Sequence, residues 1–270
     1  MTLDLRGGTA LITGASSGLG VEFARRFAAR GSHLVLVARR ADRLEALATE
    51  LRASARVNVE VIPADLAVPG AAPALADEIA RRGIRISSLV NNAGFGTHGP
   101  FDLAEPDRMV QEMQLNVGTL VELSRLFMPQ LLEGNGALVT VASIAAYQPT
   151  PGMAVYGATK AFVLHFTEAL WAEARGTGLR VLALSPGSTK TEFFDVLGGS
   201  LGSTGRQQTA EQVIDTAFRE LDRKNSRPSV VSGLSNHLAA LGTRLLTRRA
   251  LTLTSSWVLG EVRMRRRGPA

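Results

Sequence analysis

Six short apolar runs recur along the first two-thirds of the chain, separated by longer helical patterns, and that alternation leaves few folds open. The runs are TALIT (9–13), HLVLVA (33–38), VNVEVI (57–62), SSLVNN (87–92), ALVTVAS (137–143) and RVLALS (180–185). Each is short and nearly continuous in apolar character, which suits a strand buried on both faces. Between them, segments such as 19–30, 41–54, 105–132 and 155–175 repeat apolar residues at three- and four-residue spacing. Strands alternating with helices build βαβ units, hence a parallel sheet with helices on both sides. SVVSG (229–233) is expected to add an edge strand, for about seven in all. No repeat or low-complexity linker divides the 270 residues, so the expected architecture is one doubly wound α/β domain.

Several function classes drop out on composition. The chain has no cysteine, which excludes disulfides, thiolate nucleophiles and zinc–thiolate sites. Its four histidines, His33, His98, His165 and His237, show no ligand spacing, so no metal is expected. No apolar run approaches the ~18–20 residues of a spanning helix, and no basic leader precedes the first strand, so a cytoplasmic location is expected. The net charge of +6 is uneven. Between Arg244 and Ala270 stand seven arginines and one acid, Glu261, so that segment carries the whole excess and residues 1–243 are neutral. A nucleic-acid partner for the main body thereby loses its electrostatic basis.

The first expected strand runs directly into TGASSGLG (13–20) and then a helix. Glycine permits a tight turn there and lets a diphosphate approach backbone N–H groups at the positive end of a helix. In a chain of βαβ units this arrangement points to a dinucleotide held by Gly14, Ser16, Ser17, Gly18, Leu19 and Gly20 in a Rossmann-type fold. At the end of the second strand the sequence reads VARRADR. Ala38 offers no acceptor for a ribose 2′-hydroxyl, whereas the guanidinium groups of Arg39 and Arg40 pair well with a 2′-phosphate. The expected cofactor is therefore NADP(H).

The T-G-x-x-x-G-x-G spacing resembles the short-chain dehydrogenase/reductase family, in its single-domain branch. Further marks of that family follow in order: Asp65, NNAG at 91–94, Asn116 in LNVGTL, Ser143, Y-x-x-x-K at 156–160, and Pro186–Gly187 with Thr189 and Thr191 beyond. The resemblance covers roughly residues 5–195. It implies hydride transfer between a nicotinamide and a carbonyl or alcohol. Ser143 would hold the carbonyl oxygen, Tyr156 would exchange its proton, Lys160 would bind the nicotinamide ribose, and Asn116 would anchor a proton-relaying water. Arg39, helped by Ser16, would recognise the 2′-phosphate. Asp65, with Leu66 beside it, would bind the adenine amino group, and Asn92, Ala93 and Gly94 would pack beside the adenosine. The family commonly pairs subunits through the helix bearing the tyrosine, so a homodimer or homotetramer is expected.

Residue chemistry gives the Tyr–Lys pair its own meaning. Tyr156 is one of two tyrosines, and Lys160 one of three lysines among 30 basic residues. A four-residue step puts both on one helix face. A free phenol, with pKa ≈ 10, transfers its proton poorly at neutral pH, and a nearby ammonium together with the positive charge of the nicotinamide is expected to lower that value. Tyr147 has no lysine after it and is expected in the substrate wall. Phe95, Ile144, Gln148, Met153, Phe193, Phe194 and Leu197 would complete that wall, which is mostly apolar and fits an apolar ketone, aldehyde or secondary alcohol.

The Gly- and Ser-rich stretch 188–208 is expected to be a substrate lid on a catalytic unit spanning 1–243, and 244–270 a basic helical extension. That extension reads as a packed helix with a solvated basic end, in preference to one lying on anionic lipid. The alternatives to a soluble reductase are a catalytically silent NADP-sensing protein and a membrane-peripheral lipid ketone reductase. The presence of Ser143, Tyr156 and Lys160 together argues against the silent reading.

Overall fold

The computed structural model describes residues 3–193 and 207–259. Its strands are β1 (Thr9–Thr13), β2 (His33–Ala38), β3 (Val59–Pro63), β4 (Ser88–Asn91), β5 (Ala137–Val141), β6 (Arg180–Ser185) and β7 (Ser229–Val231). They form one sheet in the order β3-β2-β1-β4-β5-β6-β7, every pair parallel. The chain winds outward from β1 to β3, then crosses back to β4 on the other side of β1. The ends of β1 and β4 therefore diverge at a topological switch point, where open α/β sheets bind ligands.

The helices follow the apolar spacing. They are α1 (Gly18–Ala29), α2 (Ala41–Ala55), α3 (Ala71–Arg81), α4 (Pro106–Met113), α5 (Leu120–Leu132), α6 (Ala154–Glu173), α7 (Ala210–Leu221), α8 (Leu234–Gly242) and α9 (Arg248–Leu259). Phe23, Phe27, Leu44, Leu47, Ile214 and Phe218 from α1, α2 and α7 cover one face of the sheet. Leu75, Ile79, Leu123, Phe127, Leu170 and Trp171 from α3, α5 and α6 cover the other. Strand residues are shared between the two: Ile12 faces the first cluster and Leu11 the second. This division explains why the strands read as unbroken apolar runs.

Two expectations need correcting. The pattern over 105–132 suggests one continuous helix, but a π-helical turn, Gln114–Thr119, separates α4 from α5. Asn116 lies in this turn, and such turns recur at functional sites. The strand expected over 137–143 ends at Val141. Ala142 still donates to Leu184 O at 2.8 Å, but Ser143 then leads into a short 3₁₀ turn, Ile144–Tyr147, whose Ala145 N–H donates to Ser143 Oγ at 3.1 Å.

Candidate active site

At the carboxyl ends of β1 and β4 the predicted dinucleotide residues converge. Thr13 Oγ1 donates to Val90 O and accepts from the backbone N–H groups of Asn92 and Ala93, both at 3.0 Å. The Asn92 amide donates back to Thr13 O at 2.9 Å and Gly14 O at 3.2 Å. Gly14 has φ +67°, and a Cβ on Gly20 would lie 2.2 Å from Gly14 O. The turn from β1 into α1 is thus pulled tight by residues that leave its amide edge bare. Ser16, Ser17, Gly18 and Leu19 lie on that edge, half-buried. Gly94 follows at the same corner, where an added Cβ would lie 2.8 Å from Asn116 Oδ1. Asp65 is exposed and accepts from Ala67 N at 3.0 Å, while Leu66 is buried and its carbonyl accepts from Thr119 Oγ1. A glycine-rich turn at a helix N-terminus suits a dinucleotide diphosphate, with the Thr191 side chain packed against Gly18.

The two arginines after β2 differ. Arg39 is exposed. Arg40 turns inward and donates to Ser16 Oγ through Nε and Nη2, at 3.2 and 3.1 Å, and to Glu192 at 2.8 Å. Arg43 bonds the same carboxylate, and the two guanidinium groups, Arg43's first, hold the Glu192 pKa below its ordinary value. Sequence reasoning missed Glu192 and Arg43 in this cluster, because they become neighbours only when the segment that follows β6 returns to the β2–α2 corner.

The four expected catalytic residues are brought together from the turn after β5, the π-helical turn and α6. All are buried: Ser143 9 %, Asn116 1 %, Tyr156 8 % and Lys160 5 % exposed. Asn116 is locked by three bonds: its Oδ1 accepts from Phe95 N at 3.1 Å, and its Nδ2 donates to Phe95 O at 2.9 Å and Thr159 Oγ1 at 3.1 Å. Lys160 Nζ donates to Val141 O at 2.7 Å and stands 5.7 Å from the Tyr156 ring centre. Pro186 O accepts from Ile144 N at 3.0 Å, which draws the loop of Gly187, Thr189 and Thr191 beside Ser143. Thr189 Oγ1 donates to Gly187 O, and Thr191 Oγ1 to Thr189 O.

Without the nicotinamide's charge, burial governs the phenol. Burial pushes Tyr156 up to about 12; its hydrogen bond with Ser143 works the other way, and the carboxylate of Glu112 raises it further. Burial also pulls Lys160 down to about 8, against an upward pull from Glu112. The ammonium points at Val141 O, and loss of water outweighs its influence on the phenol. Tyr156 is therefore a protonated acid at neutral pH. Glu112 is the residue sequence reasoning missed here. It stands one helical turn before Asn116, is 0 % exposed, and its Oε2 accepts from Thr97 Oγ1 at 2.7 Å. Burial raises its own pKa, and Arg108 and Lys160 are among the groups that oppose the rise. An acid at a helical core position among polar neighbours was the available signal.

Met153, Tyr156, Ala145 and Phe193 form one apolar cluster, with the Phe193 ring 5.4 Å from that of Tyr156. Ile144 and Gln148 flank it, half-buried. Tyr147 packs partly against Leu120, Ala142, Val163 and Leu164 instead, so packing takes a share of the role expected of it. Phe95 carries an unforeseen cation: the Arg108 guanidinium lies 3.7 Å over its ring. Phe194, Leu197 and most of the expected lid fall outside the described residues. Among the described residues no cluster suits a metal ion, and no helix is long and apolar enough to cross a membrane.

Known proteins resemble this chain in sequence and in fold. The family model described as short chain dehydrogenase matches residues 8–198. Sulfoacetaldehyde reductase 2 of Chromohalobacter salexigens is 40 % identical over 210 residues, 76 % of this chain and 79 % of that protein. A short-chain dehydrogenase from Sphingobium yanoikuyae, solved in complex with NADPH, superposes with a TM-score of 0.77 at 33 % identity, over 97 % of this chain and 99 % of that one. The bulky-bulky ketone specific alcohol dehydrogenase from Comamonas testosteroni superposes with a TM-score of 0.73 at 33 % identity, over 90 % of this chain and 96 % of that one. This chain belongs to the short-chain dehydrogenase family.

Proposed function

We propose that the protein reduces apolar ketones or aldehydes to alcohols, with Tyr156 as the general acid. The observation that carries this reading is a buried, protonated phenol hydrogen-bonded with Ser143 and faced by Phe193 and Met153. The β1–α1 turn would hold NADPH, which when bound would supply the hydride. As charge gathers on the carbonyl oxygen, Ser143 donates a hydrogen bond to it and Tyr156 gives up its proton. Lys160, one helical turn away, stabilises the phenolate left behind, and Asn116 fixes the loop of Phe95 that closes this side of the site. Gly14, Ser16, Ser17, Gly18, Leu19 and Gly20 hold the diphosphate, Arg40 and Arg39 the 2′-phosphate, and Asp65 through Leu66 the adenine. Asn92 to Gly94 and Pro186 to Thr191 line the rest. The family's habit of pairing through the tyrosine-bearing helix fits the apolar residues exposed on α4, α5 and α6 and supports a homo-oligomer.

A second reading comes from Arg108. Its cation over Phe95 fits a small anionic aldehyde, the kind of substrate named for the Chromohalobacter relative. NADPH oxidation followed with acetophenone, 2-octanone and sulfoacetaldehyde separates the two readings. Faster turnover of the ketones supports the apolar wall, and turnover of sulfoacetaldehyde alone supports Arg108. On whichever substrate turns over, Tyr156→Phe is expected to bind NADPH within about twofold and to lose roughly 10²–10⁴ of the rate. Retained turnover would remove Tyr156 from the acid role.

A further inference from the structure

The C-terminal helices leave much of their apolar surface uncovered. Leu234, Leu238, Leu241 and Leu245 follow at steps of four, three and four residues, one stripe along α8 and the turn beyond it. They are 75 %, 59 %, 44 % and 88 % exposed. On α9, Leu251 and Ser255 are buried, while Leu253 and Trp257 stand out at 61 % and 81 % exposed. Arg244, Arg248 and Arg249, all exposed, lie among them, and no acid occurs between Leu234 and Leu259. Scattered surface leucines need no explanation, but a run of this length with an outward tryptophan marks an interaction site.

We propose that residues 234–259 dock on an anionic lipid bilayer. Leucine and tryptophan interleaved with arginine is the composition of a helix that lies in a membrane interface. Charge decides between occupants. A second copy seated on this face about a two-fold axis would bring the same three arginines toward each other, with no acid in the segment to separate them. Anionic headgroups attract all three. Beyond Leu259 the sequence adds Arg263, Arg265, Arg266 and Arg267 against Glu261, so the attraction grows along the chain. The surface also adjoins the reaction centre: α8 packs against the Ile144–Tyr147 turn, and the Asn236 amide packs against Gly187. An apolar carbonyl compound dissolved in the bilayer would reach the site from this side; that clause rests on the function proposed above, whereas the docking does not.

The test is co-sedimentation of the full chain with phosphatidylcholine vesicles, alone and with about one quarter phosphatidylglycerol. The protein is expected to pellet with the mixed vesicles, to stay in solution with phosphatidylcholine alone, and to be released by salt. Tryptophan emission should shift to the blue on binding. Trp257 is the exposed one of the two tryptophans, and Trp171 is already tied to Ser226 O. The variant L253E/W257E alters only exposed side chains. It should lose at least about tenfold in vesicle binding while keeping its NADPH binding and its thermal midpoint. Three results would each overturn the proposal: no pelleting with anionic vesicles, undiminished pelleting of the variant, or a fall in particle mass by light scattering in the variant. The last would assign the face to a second copy. Failure of ketone reduction would leave the vesicle result untouched.

Discussion

Lys160 carries a charge that the fold has taken out of water, and this burial pulls its pKa down to about 8. The folded value lies below the ordinary 10.5, so the unfolded chain holds more protons between the two. Stability therefore rises as pH climbs through that window, and the full penalty, of order 3 kcal/mol, applies below it. Lys160→Met removes the charge but leaves Val141 O without its donor, a loss of about 1–2 kcal/mol. The net expectation at neutral pH is a thermal midpoint higher by roughly 2–4 °C, a gain that fades toward pH 10, together with loss of turnover. A lower midpoint at pH 7 would show that the ammonium stabilises the fold.

Glu112 raises both Tyr156 and Lys160. Glu112→Gln keeps an acceptor for Thr97 and removes the charge, so both groups should titrate lower. In a pH profile of reduction, the alkaline limb, where the phenol is lost, is expected to move to lower pH. An unmoved limb would leave Glu112 with packing alone. Neither role was readable beforehand. The Tyr–Lys step of four fixes a shared helix face, but not which carbonyl the ammonium meets or which acid stands opposite.

Among the elements, the corner after β2 is where local sequence and tertiary context divide the work. The paired arginines raise the expectation of a phosphate site, yet nothing local distinguishes exposed Arg39 from Arg40, which Ser16 and Glu192 hold. Glu192 places one anion on the guanidinium groups that a 2′-phosphate would use. Arg40→Ala is expected to weaken NADPH by about tenfold or more and leave NADH nearly unchanged. Glu192→Gln should do the reverse, tightening NADPH several-fold by freeing Arg40 and Arg43 from a competing carboxylate. Fluorescence titration with both cofactors reads the two effects. Equal affinities in Arg40→Ala and the parent would return the phosphate to Arg39. The π-helical turn shows the same limit of local reading. Apolar spacing continues through 105–132, and only the bonds from Asn116 to Phe95 and Thr159 explain the break.

At the scale of the molecule, alternation alone implied a parallel sheet, because buried strands joined by helices have no other economical packing. Which outer faces stay uncovered was not implied, since an exposed leucine and a buried one look alike in sequence. Among the described residues, apolar side chains are exposed on α4 to α6 and on α8 and α9, and the charge of these faces differs. One carries Val110 and Met113 on α4, Leu126 on α5 and Phe162 on α6, whose ring stacks on Phe166 at 5.7 Å. The other carries the leucines, tryptophan and arginines of α8 and α9. A face with aromatic rings and little excess charge can meet its own copy, whereas one with three arginines and no acid repels itself. Phe162→Glu is therefore expected to reduce the particle mass to that of one chain in light scattering while leaving vesicle binding intact. The L253E/W257E variant should show the opposite pair of results. If Phe162→Glu leaves the mass unchanged, the subunit contact does not lie on the tyrosine-bearing helix, and the division of the surface by charge fails with it.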